Sequence, residues 1–209
     1  MTDPAEILQL ARARGAMIAT AESCTGGLII GRLTDVPGSS DAVDRGFITY
    51  SNAAKIQMLG IRPETLDAHG AVSENIAAEM ASGAKARSQA GIAVAVTGIA
   101  GPGGSEHKPE GRVCFGLATP TGTATETVEF GALGRDKVRA RENDIAALEA
   151  GLRQAQAGGK ITRESFITGT ESIGNHVISG FAVSFSATSH AASKFVEMSM
   201  LTGDGRVRT

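Results

Sequence analysis

No stretch of this sequence is long and apolar enough to cross a bilayer. The longest unbroken apolar run, Ile92 to Val96, is the size of a strand, far short of the ~20 residues a spanning helix needs. A soluble protein with no membrane partner is expected. Cysteine is scarce, with Cys24 and Cys114 alone, and no charged n-region, apolar h-region and cleavage site can be read. A reducing, cytoplasmic setting without a structural disulfide follows as the expectation. Charge excess is lacking too: 20 Lys and Arg against 22 Asp and Glu leave a net charge of -2. No long basic run supplies the local face that nucleic acid would need. The histidines His69, His107, His176 and His190 form no pair at metal-ligand spacing, and neither cysteine pairs with one, so neither a metal site nor a cofactor is expected. The GxxxxGK[ST] pattern is missing as well, which disfavours Mg-nucleotide hydrolysis.

What is present is an alternation of helix and strand, in a chain of 209 residues that can hold one sizeable core and at most a small appendage. Asp3 and Pro4 make a helix start, with Ile7, Leu8, Leu10 and Ala11 as its apolar stripe and Gly15 as its end. Ala16 to Thr20 reads as a buried strand that leads through Ser23 into a helix from Leu28 to Leu33. Phe47 to Tyr50 reads as a second strand, followed by Ser51-Asn52 capping a short helix that carries Lys55. Pro63 opens another short helix at Glu64 to Leu66, and Ser73 caps a longer one reaching about Gln89. Ile92 to Thr97 is the clearest central strand, apolar on both faces. Beyond a glycine-rich loop, Arg112 to Thr119 and Thr123 to Phe130 form a hairpin through Pro120-Thr121-Gly122, and an amphipathic helix runs from about Arg135 to Gln156. The expected class is α/β: a three-layer α/β/α sandwich with a mixed, largely parallel sheet and an antiparallel hairpin, spanning residues 1–159. Residues 160–209 are rich in Ser, Thr and Gly, with a strand-like run at Phe181 to Phe185 and a helix-like run at Ala191 to Met200. They are expected to form a C-terminal extension outside that domain.

Three polar clusters fall at the carboxyl ends of expected strands, the edge at which open α/β sheets bind ligands: Glu22-Ser23-Cys24-Thr25, Tyr50-Ser51-Asn52 with Lys55, and Thr97-Gly98 with its loop. Gly26 and Gly27 let backbone N–H groups approach a ligand at a helix start, which favours negative charge. The plainer use of Ser23 or Thr25 is as a helix cap. Lys55 lies about one turn into its helix, so it can point back toward Ser23. A Ser–Lys pair works only if desolvation lowers the amine's pKa toward neutrality, and a solvated surface lysine is the alternative. Cys24 is a second candidate nucleophile, placed near a helix N-terminus that lowers thiol pKa, or else a small core residue. The loop from Gly98 to Gly111 suits either a small anion held by backbone N–H groups or a plain surface loop.

Four blocks together, Ala21 to Gly27, Gly46 to Asn52 with Lys55, His69 to Ser73, and Thr97 to Pro102, resemble the CinA C-terminal-domain family. Gly103-Gly104-Ser105, Lys108-Pro109, Gly111 and Val138-Arg139 look like the same pattern. The resemblance covers about residues 5–157 and implies hydrolysis of the carboxamide of nicotinamide mononucleotide to nicotinate mononucleotide and ammonia, in pyridine-nucleotide recycling. It implies Ser23 as nucleophile and Lys55 as base, with Tyr50 and Thr97 lining the site, and it suggests a homo-oligomer. On that reading Thr25 and Gly26 supply candidate oxyanion donors. The loop from Gly101 to Ser105, which includes Gly103, is expected to hold the substrate phosphate, with Arg139 as its charged partner, and Gly98 is a further expected substrate-binding residue. Glu142-Asn143 after Arg139-Ala140-Arg141 departs from the family pattern, as does the 160–209 extension. The alternatives are a non-catalytic ligand-binding or adaptor domain in a competence or DNA-damage response, and a hydrolase of some other small amide.

Overall fold

The computed structural model describes residues 3–105 and 107–142, together with four short strands between positions 176 and 208. Helix α1 (Pro4–Arg12) begins where the Asp3 carboxylate accepts the Ala5 N–H at 2.9 Å, and it buries Ile7, Leu8 and Ala11. Strand β1 (Ile18–Glu22) and helix α2 (Leu28–Thr34) follow, then β2 (Val43–Ile48). A single helical turn, α3 (Asn52–Ala54), is capped by Ser51 and widens into a π-helical turn, Lys55–Leu59. Next come α4 (Pro63–His69), α5 (Glu74–Ala86), β3 (Ile92–Gly98), β4 (Arg112–Thr119), β5 (Gly122–Glu129) and α6 (Arg135–Glu142).

The five strands lie in the order β2-β1-β3-β4-β5. β1 runs parallel to both β2 and β3, whereas β3–β4 and β4–β5 are antiparallel. Four strands therefore point one way and β4 alone the other, which is the mixed, largely parallel sheet with a hairpin that the sequence implies. Alternation along β3 divides the interior into two cores. Ile92, Val94 and Val96 pack with Ile7, Leu8, Ile29, Leu33 and Val138 under α1, α2 and α6, while Ala93 and Ala95 pack with Leu66, Ile76 and Met80 under α4 and α5. These are the two helical layers of an α/β/α sandwich. The alanine side permits close approach: a Cβ on Gly116 of β4 would collide with the Ala77 carbonyl, so α5 lies directly on the sheet there.

Several boundaries shift. β1 begins at Ile18 and extends to Glu22 instead of ending at Thr20, and β2 starts at Val43 and ends at Ile48. The outer position of β2 explains why its early half escaped notice. It is an edge strand whose Asp44 and Arg45 pair with each other in place of an apolar neighbour. Of the helix expected from Arg135 to Gln156, the part after Glu142 lies outside the described residues, as does most of the 160–209 segment. Within that segment β6 (His176–Ile178) pairs antiparallel with β7 (Phe181–Val183), and β8 (Met200–Leu201) with β9 (Val207–Arg208). Met200, expected at the end of a helix, is thus extended. No described helix is long and apolar enough to cross a membrane.

Candidate active site

The carboxyl ends of β2, β1 and β3 lie side by side, and the polar clusters meet there. Ser23 is the first residue after β1. Its backbone N–H donates to the Val96 carbonyl at 3.0 Å, which fixes it against β3. Neither Ser23 nor Thr25 caps α2: the N-cap is Gly27, in a left-handed conformation at φ 101°, without a side-chain cap of its own. The serine hydroxyl is thereby left for other work.

Lys55 enters from the other side. After β2 the chain turns at Tyr50 and Ser51, and the π-helical turn sends the Lys55 side chain back beneath the strand end, where it is 1% exposed. Its Nζ lies 3.0 Å from Ser23 Oγ and donates to the Thr49 carbonyl at 2.9 Å. Among the described residues no carboxylate forms an ion pair with it. Burial pushes the amine down from its ordinary value, opposed by the charge of the nearby Cys24, because an ammonium taken out of water without a counter-ion is disfavoured. Once deprotonated, an amine in this position can donate one N–H to Thr49 and turn its lone pair to the Ser23 hydroxyl, to which Nζ is the hydrogen-bond donor in the structure. The solvated-lysine alternative does not describe this residue.

Around this pair several polar atoms stand ready. Thr25 is completely buried, and among the described residues its Oγ1 has no hydrogen-bond partner; Thr49 Oγ1 and Arg139 Nε are also buried without one there. Buried polar groups in native proteins are nearly always bonded to protein or to ordered water, so these three are polar groups at the site with bonding capacity to spare. Arg139 Nη2 donates to the Thr25 carbonyl at 2.9 Å and would lie 3.6 Å from a Cβ on Gly26. The Gly26 N–H donates to the Ser23 carbonyl at 3.1 Å, whereas the Thr25 N–H makes no hydrogen bond among the described residues.

Cys24, 5% exposed, belongs to the core with Ile29, Val96 and Val113. A Cβ on Gly98 would meet its Sγ at 3.0 Å and Val113 Cγ2 at 2.9 Å, so glycine is needed where β3 passes the thiol. Thr97 is buried and donates its hydroxyl to the Ala71 carbonyl at 2.8 Å, tying the end of β3 to the His69–Ser73 block. Lys108 binds the same block through the His69 and Val72 carbonyls, each at 2.6 Å.

The glycine loop is braced by the protein's own charges. Glu110 accepts from the Gly103 N–H at 2.6 Å and from the Gly134 N–H at 3.1 Å. The arginine that reaches this loop is Arg135, which donates to the Gly101 carbonyl at 3.2 Å and to the hydroxyl of Tyr50 at 2.8 Å. Tyr50 is 61% exposed and stands at the rim. Arg135 and Arg139 are four residues apart on α6, hence on one helical face, and Val138 beside them is fully buried. Ser23, Lys55, Thr25, Gly26 and Arg139 are thus linked at the centre, and Tyr50, Gly101 and Arg135 at the lip. Gly103 is occupied by Glu110.

Glu22, Thr49, Arg135 and Glu110 received no role from the sequence. The one readable signal among them is Glu22, a lone acid ending an apolar strand just ahead of two glycines. Among the described residues no group of three or more His, Cys, Asp or Glu side chains could hold a metal ion.

Comparison with known proteins shows what the chain is similar to. A family model described as the CinA C-terminal domain matches residues 2–154. A CinA-like protein of Chlorobium phaeobacteroides is 55% identical over 143 residues, which are 66% of this chain and 33% of that protein. The chain therefore spans a third of that relative's length. A nicotinamide-nucleotide amidohydrolase PncC of Escherichia coli K12 is 51% identical over 147 residues, covering 66% of this chain and 88% of that one. Among solved structures, the competence/damage inducible protein CihA of Agrobacterium tumefaciens superposes with a TM-score of 0.67 at 45% identity, covering 74% of this chain and 98% of that one. With a family match that runs from α1 past the last described turn of α6, the chain belongs to the CinA C-terminal domain family.

Proposed function

We propose that the chain is an amidohydrolase that converts nicotinamide mononucleotide and water into nicotinate mononucleotide and ammonia, with Ser23 as nucleophile and Lys55 as base. The observation that carries this reading is the buried Lys55 Nζ, 3.0 Å from Ser23 Oγ and without a carboxylate partner among the described residues. A binding or adaptor domain has no use for a desolvated lysine aimed at a serine. The similarity to an amidohydrolase of nicotinamide nucleotides supports the substrate, and pyridine-nucleotide recycling is the setting in which that conversion is useful.

In this scheme Ser23 Oγ attacks the carboxamide carbon as its proton passes to Lys55 Nζ. The tetrahedral oxyanion meets the Thr25 N–H, a donor not used elsewhere among the described residues; loss of such a donor costs ~10²–10³ in kcat in other hydrolases. Collapse breaks the C–N bond, and the lysine ammonium returns its proton to the departing nitrogen, so ammonia leaves and a nicotinoyl ester remains on Ser23. Water then attacks that ester as Lys55 again takes a proton; collapse breaks the bond from the acyl carbon to Ser23 Oγ, Lys55 returns its proton to that oxygen, and the nicotinate leaves as a carboxylate after giving its acid proton to solvent. Arg135 and Arg139, on one face of α6, are the cations for the nucleotide phosphate.

Ammonia release from nicotinamide mononucleotide tests the reading. The wild type and Cys24→Ala should turn over, because Cys24 is a core neighbour, while Ser23→Ala and Lys55→Arg should not, since a guanidinium does not give up its proton near neutrality. Activity in Ser23→Ala together with a dead Cys24→Ala would reverse the nucleophile assignment. A wild type that releases ammonia from other amides but not from this nucleotide would reject the substrate.

A further inference from the structure

The carboxylate immediately before the nucleophile has no part in these steps, yet it is one of the most fully bonded side chains in the molecule. Glu22 is completely buried. Its Oε2 accepts from the Gly27 N–H at 2.9 Å and the Ile29 N–H at 3.1 Å, and its Oε1 from the Ile30 N–H at 2.9 Å and the Thr20 hydroxyl at 3.1 Å. The free amides at the start of α2, which a local Ser, Thr or Asp would ordinarily satisfy, are satisfied from five residues upstream. The backbone of Glu22 is pinned as firmly: its carbonyl accepts the Thr49 N–H at 2.8 Å, one residue before Ser23 is held by Val96. Residues 23–26 are therefore a short ring of chain closed at both ends by one amino acid, through its backbone at one end and its carboxylate at the other.

We propose that Glu22 is a positioning residue for the nucleophile. By closing this ring it holds Ser23 Oγ on Lys55 Nζ and keeps the Thr25 N–H facing the carbonyl under attack; the inference rests on the Ser23–Lys55 reading above. The chemistry of the side chain is specific. Three N–H donors converge on two oxygens, so an amide would set its own NH₂ against at least one of them, and aspartate is a methylene too short to span the turn. The same carboxylate fills the start of α2 with the protein's own negative charge. A substrate anion is thereby excluded from that helix end and left to the arginines of α6.

Two readouts on the full chain test this. In Glu22→Gln, kcat for ammonia release should fall about a hundredfold, as expected for a misplacement near 1 Å, with KM changed by less than about threefold. The rate at which phenylmethylsulfonyl fluoride sulfonylates Ser23, followed by intact mass, should fall in parallel. A Glu22→Gln protein that melts earlier but keeps both rates would make Glu22 an ordinary helix cap and overturn the proposal. If that variant does not fold, Thr20→Val removes one of the four hydrogen bonds alone. It should lower both rates severalfold, and wild-type rates would again refute the proposal. Sulfonylation needs no nucleotide, so a wild type that is modified at Ser23 but inert toward nicotinamide mononucleotide would sink the substrate while leaving Glu22 tested.

Discussion

Replacement of Lys55 by Met should change how stability depends on pH, in a way that reads the protonation of the buried amine directly. In the unfolded chain this lysine holds its proton up to the ordinary value of 10.5, whereas burial lowers the folded-state value. Between the lowered value and 10.5 the unfolded state binds one proton more than the folded state. Stability of the wild type must then rise with pH across that window, by about 1.4 kcal/mol per pH unit, and be level on either side. Lys55→Met has no such proton. Its deficit relative to wild type should therefore widen with that slope as pH rises through the window, toward a plateau set by the Thr49 carbonyl left without its donor, a loss of about 1–3 kcal/mol. Cys24 acts electrostatically on the amine, so both chains should carry Cys24→Ala. Urea unfolding followed by circular dichroism from about pH 6 to about pH 11 measures the difference, and the pH at which it begins to widen is the folded-state pKa. That value should coincide with the acid limb of the pH–rate profile, where activity is lost as Lys55 gains its proton. Parallel stability curves over the whole range would mean that Lys55 is charged in the fold and cannot be the base.

Further outcomes are expected elsewhere. Gly116→Ala places a methyl against the Ala77 carbonyl and should lower stability by about 1–3 kcal/mol, visible in the urea midpoint; an unchanged midpoint would contradict the close contact of α5 with β4. Exhaustive chelation should leave turnover unaltered, and a loss restored by one divalent ion would show that metal is required. Truncation after Gly159 should preserve ammonia release, whereas a truncated chain that sediments as a monomer and is inactive would show that the extension completes the site.

The layered fold was legible because its signals are local. Pro120-Thr121-Gly122 set off the hairpin, and Arg112–Thr119 was placed to the residue. Strong caps at Asp3, Ser51 and Ser73 located three helix starts. What resisted reading were residues whose character contradicts their surroundings. Glu22 looks like loop because a carboxylate is costly inside a sheet, and only the α2 amides, several residues away and folded back onto it, make it tolerable. Lys55 looks like surface for the same reason. Val43–Ile48 lacks the apolar alternation of a central strand because it is an edge. Arg135 gives no signal, since its role depends on a contact with Tyr50 across 85 positions of sequence.

The two halves of the site come from different layers. Ser23 and Lys55 are set by the ends of β1 and β2, while Arg135 and Arg139 arrive on a helix packed against the opposite face of the molecule from α5 and seated by Val138. On the proposed reading, bond breaking belongs to the strand ends and phosphate binding to α6, two pieces of chain that meet where Arg139 donates to the Thr25 carbonyl. Substitutions at Arg135, whose hydrogen bonds go to Gly101 and Tyr50 at the lip, would then retune phosphate binding while leaving Ser23 and Lys55 in place. A lineage can then vary how the phosphate is held through one helix while its catalytic strand ends stay unchanged.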